Sequence, residues 1–469
     1  MEKKTYYFIF VPIFNKKRYM SKDVKIRKGV NIKLKGVAER LYADAASTSD
    51  VVIKPTDFAG LTPKLTVKIG DKVKAGSPLF YNKEIDSVMF TSPISGEVTE
   101  ITRGEKRRIL EVKVKADGAN SYESFKQGDP SKMAKEEVLA TMLKSGVWPF
   151  IRQRPFDIIA NPMVTPKAIH VTAFDTSPLA PDFGFVAHGQ GSELQVGLDA
   201  LSKLTSGTVH LNITGNANAD EAFTGAKNVQ INKVSGPHPA GNVGIQIHHI
   251  DPINKGDVVW TLNALEVLTI GKLFKEGKFD ASRAITVVGS KITTPKYVKT
   301  VMGANIKDIL KGNLEEGARI ISGNPLTGNQ VQENGHLGFY NYQVTAIPAG
   351  GEPRFFGWFP FFGFNGFSLS RTSLSFLSPN KERDLDANIN GEERAFVMAG
   401  QYEQYFPMDI FPVHLVKSMI YKDIDLMENL GIYEVAPEDF ALCEYACTSK
   451  IETQKIVREA LDLVRKETS

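Results

Sequence analysis

The sequence predicts a multidomain α/β protein: a small barrel-sandwich, then an open α/β sheet with helices on both faces, then a β-grasp module and a helical C-terminal region. Three observations predict it. Residues 63–115 repeat one strand–turn–strand signal in two halves. Residues 131–288 alternate buried-strand and helix patterns, and the segment after Pro407 shows helical spacing. At 469 residues the chain also exceeds the size at which single cores stop growing, roughly 250–300 residues, so three or four domains are expected.

Composition narrows the class. Hydrophobic residues at 42% and charged ones at 23% are those of a folded soluble protein. A net charge of +4 spread over the whole length excludes a nucleic-acid partner. Two cysteines, Cys443 and Cys447, point to a reducing compartment and rule out a disulfide framework. The apolar run at residues 6–14 contains Pro12 and is far shorter than the roughly 20 residues a bilayer needs. No small-residue cleavage site follows it, so Met20 is taken as the natural start, and residues 1–22 as a disordered or artefactual extension.

The barrel-sandwich is expected over 23–120. Val24-Lys25-Ile26-Arg27-Lys28-Gly29 alternates apolar and basic residues and stops at glycine, as a strand does. Val67–Leu79 and Ser92–Val98 then form the two halves, each closing over the inner face of the other. This is the hammerhead of the biotinyl/lipoyl type. Such domains carry a cofactor on a lysine at the hairpin tip. Here Ile85 and Asp86 stand at the tip and Lys83 is out of register, so a structural or docking module without an attached cofactor is expected. The basic stretch Arg103-Gly104-Glu105-Lys106-Arg107-Arg108 reads as a solvated loop.

The α/β domain is expected over 121–283, with a helix at 131–145, a strand at 168–174, a helix at 193–204 and a strand at 208–213. The loop Gly236-Pro237-His238-Pro239-Ala240-Gly241-Asn242-Val243-Gly244 invites comparison with a phosphate cradle. Its spacing fits neither the dinucleotide fingerprint nor a P-loop, and a structural turn is the expectation here and at His188-Gly189-Gln190-Gly191. His248 and His249 are read as neighbours on a strand, pointing to opposite faces and unsuited to joint ligation. Cys443 and Cys447 fall short of the four ligands a cluster or zinc site needs. No metal set and no nucleophile–base–orienter set emerges, so no catalytic residue is assigned.

The β-grasp module is expected over 284–350, from the strand Ala284-Ile285-Thr286-Val287-Val288 and a strand, glycine turn and short helix at 297–310. Residues 351–469 begin with the phenylalanine-rich 355–367, readable equally as core or as a protein interface, and continue as helices.

Residue strings add a resemblance. Gly236-Pro237-His238-Pro239-Ala240-Gly241, Val258-Val259-Trp260, Ile270-Gly271-Lys272-Leu273-Phe274, Arg319-Ile320-Ile321-Ser322-Gly323, Phe355-Phe356-Gly357-Trp358, Asn390-Gly391-Glu392-Glu393-Arg394 and Pro407-Met408-Asp409-Ile410-Phe411-Pro412 occur in this order. Together they closely resemble the A subunits of the bacterial Na+-translocating NADH:quinone oxidoreductases, from Lys22 to the C-terminus. The resemblance implies a six-subunit respiratory complex that oxidises NADH, reduces ubiquinone or menaquinone and moves Na+ outward. It implies a Rossmann-like α/β domain and a soluble-ligand-binding (SLBB-like) β-grasp. It places NADH, FAD, a 2Fe-2S centre, FMN, riboflavin and quinone with the partner subunits B, C, D, E and F, and none of them on this chain. It also implies a peripheral position on the cytoplasmic face of the inner membrane, with the membrane met only through partners. A role in shaping the quinone region makes Phe356, Trp358 and His238 the candidate quinone or subunit-interface residues. The alternatives are a stand-alone soluble α/β enzyme, against which the lack of a dinucleotide fingerprint speaks, and a non-lipoylated docking module.

Overall fold

The computed structural model describes residues 21–43, 46–351, 366–369, 373–397 and 400–468. Phe356, Trp358 and the expected extension up to Met20 lie outside these residues.

The barrel-sandwich forms because alternate residues of its strands are apolar. Asp50–Ile53, Ile109–Ala116, Gly96–Arg103 and Lys72–Val73 make a four-stranded antiparallel sheet, in that order. Val112 and Val114 point inward and are fully buried, while Lys113 and Lys115 point away from the core. The second sheet, Pro63–Leu65, Pro78–Asn82 and Met89–Thr91, contributes Leu79 and a stacked pair, Phe80 and Phe90, with ring centroids 4.7 Å apart. Each fully buried valine or phenylalanine here stabilises the fold by roughly 1.5–3 kcal/mol. The hairpin tip turns at Lys83-Glu84-Ile85. Ile85 packs on the core and Glu84 pairs with Arg465 of the last helix at 2.8 Å, so the tip is docked onto the C-terminal region.

The central sheet has seven strands in the order Asp23–Lys25, Gln230–Ser235, Thr208–Thr214, Ala168–Thr172, Val259–Asn263, Arg152–Arg154 and Ile158–Ile159. The first five run parallel, and Arg152–Arg154 pairs antiparallel with both Val259–Asn263 and Ile158–Ile159. Asp23–Lys25, expected from the sequence to belong to the barrel, here pairs with Lys233–Ser235 as an edge strand of this sheet. Ile26, the apolar residue after it, is buried in the core between the sheet and the C-terminal helices. One face carries the helices Gly191–Leu204 and Ala264–Glu276, which cross at glycines. A Cβ on Gly197 would lie 2.2 Å from the Val267 carbonyl oxygen, and one on Gly271 1.8 Å from that of Glu193. Asn263 and Glu266 cap the second helix reciprocally. The other face carries the helix Val243–Ile250. His248 and His249 therefore lie on a helix rather than a strand. His248 bonds Glu434 at 2.9 Å and His249 the Pro407 carbonyl at 2.9 Å, both stitching the C-terminal region on.

The third unit is a five-stranded mixed sheet, ordered Lys296–Val301, Ser282–Val288, Gln343–Pro348, Ala318–Ser322 and Asn329–Val331, with the short helix Ile306–Leu310 over Ile285, Val287 and Val344. The C-terminal helices, among them Pro412–Tyr421, Ala441–Ala446 and Thr453–Thr468, bury Leu415, Phe440, Val457, Leu461 and Val464 against Val234 and Ile245 of the central domain. Cys443 and Cys447 are buried in this core as free thiols. Among the described residues no helix is long and apolar enough to cross a membrane.

Candidate functional site

In an open parallel sheet the chain leaves a crevice where neighbouring connections diverge, beyond the C-terminal ends of the strands. Here that point lies between Ala168–Thr172 and Val259–Asn263, because Ala168–Thr172 pairs with Thr208–Thr214 on its other edge. A cavity of about 350 Å³ opens there. Its walls come from all three later units: Asp175 and His238, Asn263 and Glu266, Asn341 and Tyr342, and Glu438.

The glycine-rich loop borders the crevice, and five of its backbone donors bond within the chain. Gly236 N–H donates to Asn216 Oδ1 (2.9 Å), His238 N–H to Asn31 Oδ1 (2.8 Å) and Gly241 N–H to Thr176 Oγ1 (2.9 Å). Ala240 and Asn242 donate to the carbonyls of Pro237 and Pro239, both at 2.9 Å, and the two prolines have no N–H. The segment after the edge strand lies across the loop, with Val30 N–H on the His238 carbonyl at 2.9 Å. Gly29 makes this approach possible: at φ +123° a Cβ would lie 2.1 Å from that oxygen. The loop is a structural turn and cradles no anion with these amides. His238 is buried beside it, Nδ1 3.1 Å from Thr176 Oγ1, and burial pushes its imidazole down to about 4.

The N-terminus of Val243–Ile250, where a phosphate would sit in a dinucleotide site, faces a carboxylate of the chain itself. A Cβ on Gly244 would lie 2.6 Å from Asp439 Oδ2 and 2.8 Å from Arg154 Nη1. Arg154 is fully buried and forks onto Asp439 (2.8 Å) and Glu438 (2.9 Å). Arg152 pairs with Asp157 at 3.3 Å; burial would raise the Asp157 carboxyl, yet Arg152, Arg154 and Arg458 hold it below its usual range. Burial pushes Glu438 up, against the pull of Arg152 and Arg154. Glu266 stands apart on the cavity wall: burial pushes it up to about 7 despite its bond from the Asn263 amide. The crevice thus has the Asp439 carboxylate close to Gly244 in the first turn of the helix, and Arg154 ties it across the joint between the central domain and the C-terminal helices.

Of the residues singled out from the sequence, His238 lies at this crevice, while Phe356 and Trp358 fall outside the described residues. The ionic joint was missed, because Arg154, Glu438 and Asp439 are nearly 300 positions apart and carry no local spacing signal. A second cluster was missed as well. His170, His210 and Asp251 offer ligand atoms that all lie within 4.8 Å of one another, a grouping that the expectation of no metal set did not include. The detectable signal was a histidine third in each of two buried strands, Ala168–Thr172 and Thr208–Thr214.

Three family profiles match the chain in order: the NqrA N-terminal barrel-sandwich hybrid domain over residues 24–117, the NqrA second alpha/beta domain over 133–279, and the NQRA C-terminal domain over 284–333. Similar proteins include the A subunit of the Na(+)-translocating NADH-quinone reductase of Neisseria meningitidis serogroup B, 36% identical over 452 residues. The same-named protein of Pasteurella multocida is 36% identical over 449 residues and that of Photorhabdus laumondii 34% over 449. Each alignment spans 95% of this chain and 100% of the relative.

Proposed function

The chain belongs to the family of A subunits of the Na(+)-translocating NADH-quinone reductases, and on that premise we propose that it is a peripheral subunit of a six-subunit respiratory complex, on the cytoplasmic face of the bacterial inner membrane. The complex couples NADH oxidation and quinone reduction to outward Na+ transport. Subunits B to F hold the NADH site, FAD, the 2Fe-2S centre, FMN, riboflavin and quinone. This chain holds no redox centre; it scaffolds the assembly and helps shape the quinone region.

The observation that carries the non-catalytic part is the self-filled crevice. A nucleotide or flavin phosphate needs free amides at a helix N-terminus and room for its charge. Asp439 stands beside Gly244 at that terminus, and the loop before the helix spends the amides of Gly236, His238 and Gly241 on Asn216, Asn31 and Thr176. Placing a phosphate there would set a second anion against a buried carboxylate, a like-charge cost of several kcal/mol. The same residues are well suited to hold domains in fixed relation, which is what a scaffold requires.

Equilibrium dialysis of the purified full chain against NADH and against FMN tests this. No saturable binding of either is expected. Stoichiometric binding of one of them would place a redox cofactor on this chain and overturn the scaffold reading.

A further inference from the structure

Parallel pairing sets His170 opposite His210, so the two rings stand on one face of the sheet, stacked with centroids 4.3 Å apart. Asp251 ends the helix covering that face, its amide bonded to the Ile247 carbonyl. Other polar side chains on the face satisfy one another: Asn232 donates to Asn212, Asn212 to Gln246 and Gln246 to Thr172, at 2.9–3.0 Å. His170 is the exception. It is fully buried, and neither ring nitrogen has a hydrogen-bond partner among the described residues. An imidazole so placed is costly to the fold unless something takes its lone pair.

We propose that His170, His210 and Asp251 form a binding site for a divalent transition metal of the zinc class. Two imidazoles and one carboxylate are the donor set of such ions, whereas Mg2+ and Ca2+ take oxygen ligands. A tetrahedral ion with bonds near 2.0–2.1 Å needs its ligand atoms about 3.4 Å apart. Bringing the present separation of up to 4.8 Å to that value requires the stacked rings to turn out of their near-parallel arrangement, now 17° between planes. Asn232 Nδ2 lies 3.3 Å from Nδ1 of His210; when that ring turns toward the ion, Asn232 keeps its bond to Asn212. Lys167 pairs with Asp251 at 2.8 Å but also with Asp257 at 3.1 Å and with the Pro252 carbonyl. Asp251 can therefore turn to a cation without stranding the ammonium. The half-buried Asp251 is the outer ligand and entry point, and the ion would tie two central strands to the end of the covering helix. The site shares no ligand with the crevice and does not depend on the proposed place in a respiratory complex.

The test is metal binding by the purified full chain, stripped with chelator and titrated with Zn2+, with the visible absorption of bound Co2+ as the reporter of geometry. One Zn2+ per chain, a raised thermal midpoint and a tetrahedral Co2+ spectrum are expected, with no response to Mg2+. Asp251→Asn, at a partly exposed position, is expected to fold as the parent does and to weaken Zn2+ binding by roughly tenfold or more. His170→Gln is expected to abolish it; should that variant fail to fold, Asp251→Asn alone decides. Absence of stoichiometric binding, or binding unchanged by Asp251→Asn, overturns the site.

Discussion

Arg154 has no solvent to share its charge with, so its two carboxylate partners decide whether the joint between domains holds. Removing one partner of a buried pair strands the other, at about 3–5 kcal/mol. Asp439→Ala is therefore expected to lower stability by that amount in urea unfolding, and Arg154→Met combined with Asp439→Leu to recover part of the loss. Equal losses in the single and double variants would contradict the pairing. Glu266 gives a pH signature. Its native value, about 7, lies above the ordinary 4.5, so the folded state holds the proton more tightly. Stability from this group is full below pH 4.5, falls as pH rises to about 7 and is then flat; at 1.36 kcal/mol per unit the fall is about 3 kcal/mol. Glu266→Gln keeps the acceptor for the Asn263 amide. It is expected to raise the thermal midpoint at neutral pH and to flatten its dependence between pH 4.5 and 7. At this scale the sequence disclosed little. His238 could be picked out by its glycine-rich loop, whereas Arg154, Asp439, His170 and His210 acquire their surroundings only through long-range pairing.

Elements were legible where periodicity and burial agree. The barrel strands alternate cleanly, as at Val112, Lys113, Val114 and Lys115, and Gly191–Leu204 places Leu194, Leu198 and Leu201 on one buried face. His248 and His249 were misplaced on a strand; the residues before them, Val243, Ile245 and Ile247, alternate and are β-branched, the pattern of a strand. Burial of nearly the whole segment beneath the sheet overrides that preference. The edge strand Asp23–Lys25 was legible as a strand, but its partner some 210 residues away was not. Gly29 governs how that segment lies on the loop. Gly29→Ala puts a methyl into the His238 carbonyl at a positive φ, a conflict worth roughly 1–3 kcal/mol. Hydrogen exchange at the Val30 amide, which bonds that carbonyl, is expected to accelerate. Unchanged protection would mean that the segment is held from elsewhere.

Across the whole molecule, polar ties bind the units. Asp50 of the barrel meets His336 of the β-grasp at 2.5 Å, Asp57 accepts the Phe339 amide at 2.8 Å, and Glu84 meets Arg465 of the last helix at 2.8 Å. A chain tied at so many joints suits a part that keeps others in register. The order of fold types was readable from sequence because each has its own period and turn chemistry, while the joints were not, since charged residues on separate domains carry no shared pattern. Membership in a larger complex is the central claim, and affinity purification tests it most directly. The chain, tagged at its C-terminus, would be drawn from gently solubilised membranes, reading the co-purifying polypeptides and Na+-stimulated NADH:quinone activity. The account predicts five partner polypeptides together with that activity. A lone chain without the activity, from membranes that otherwise retain it, would contradict the account.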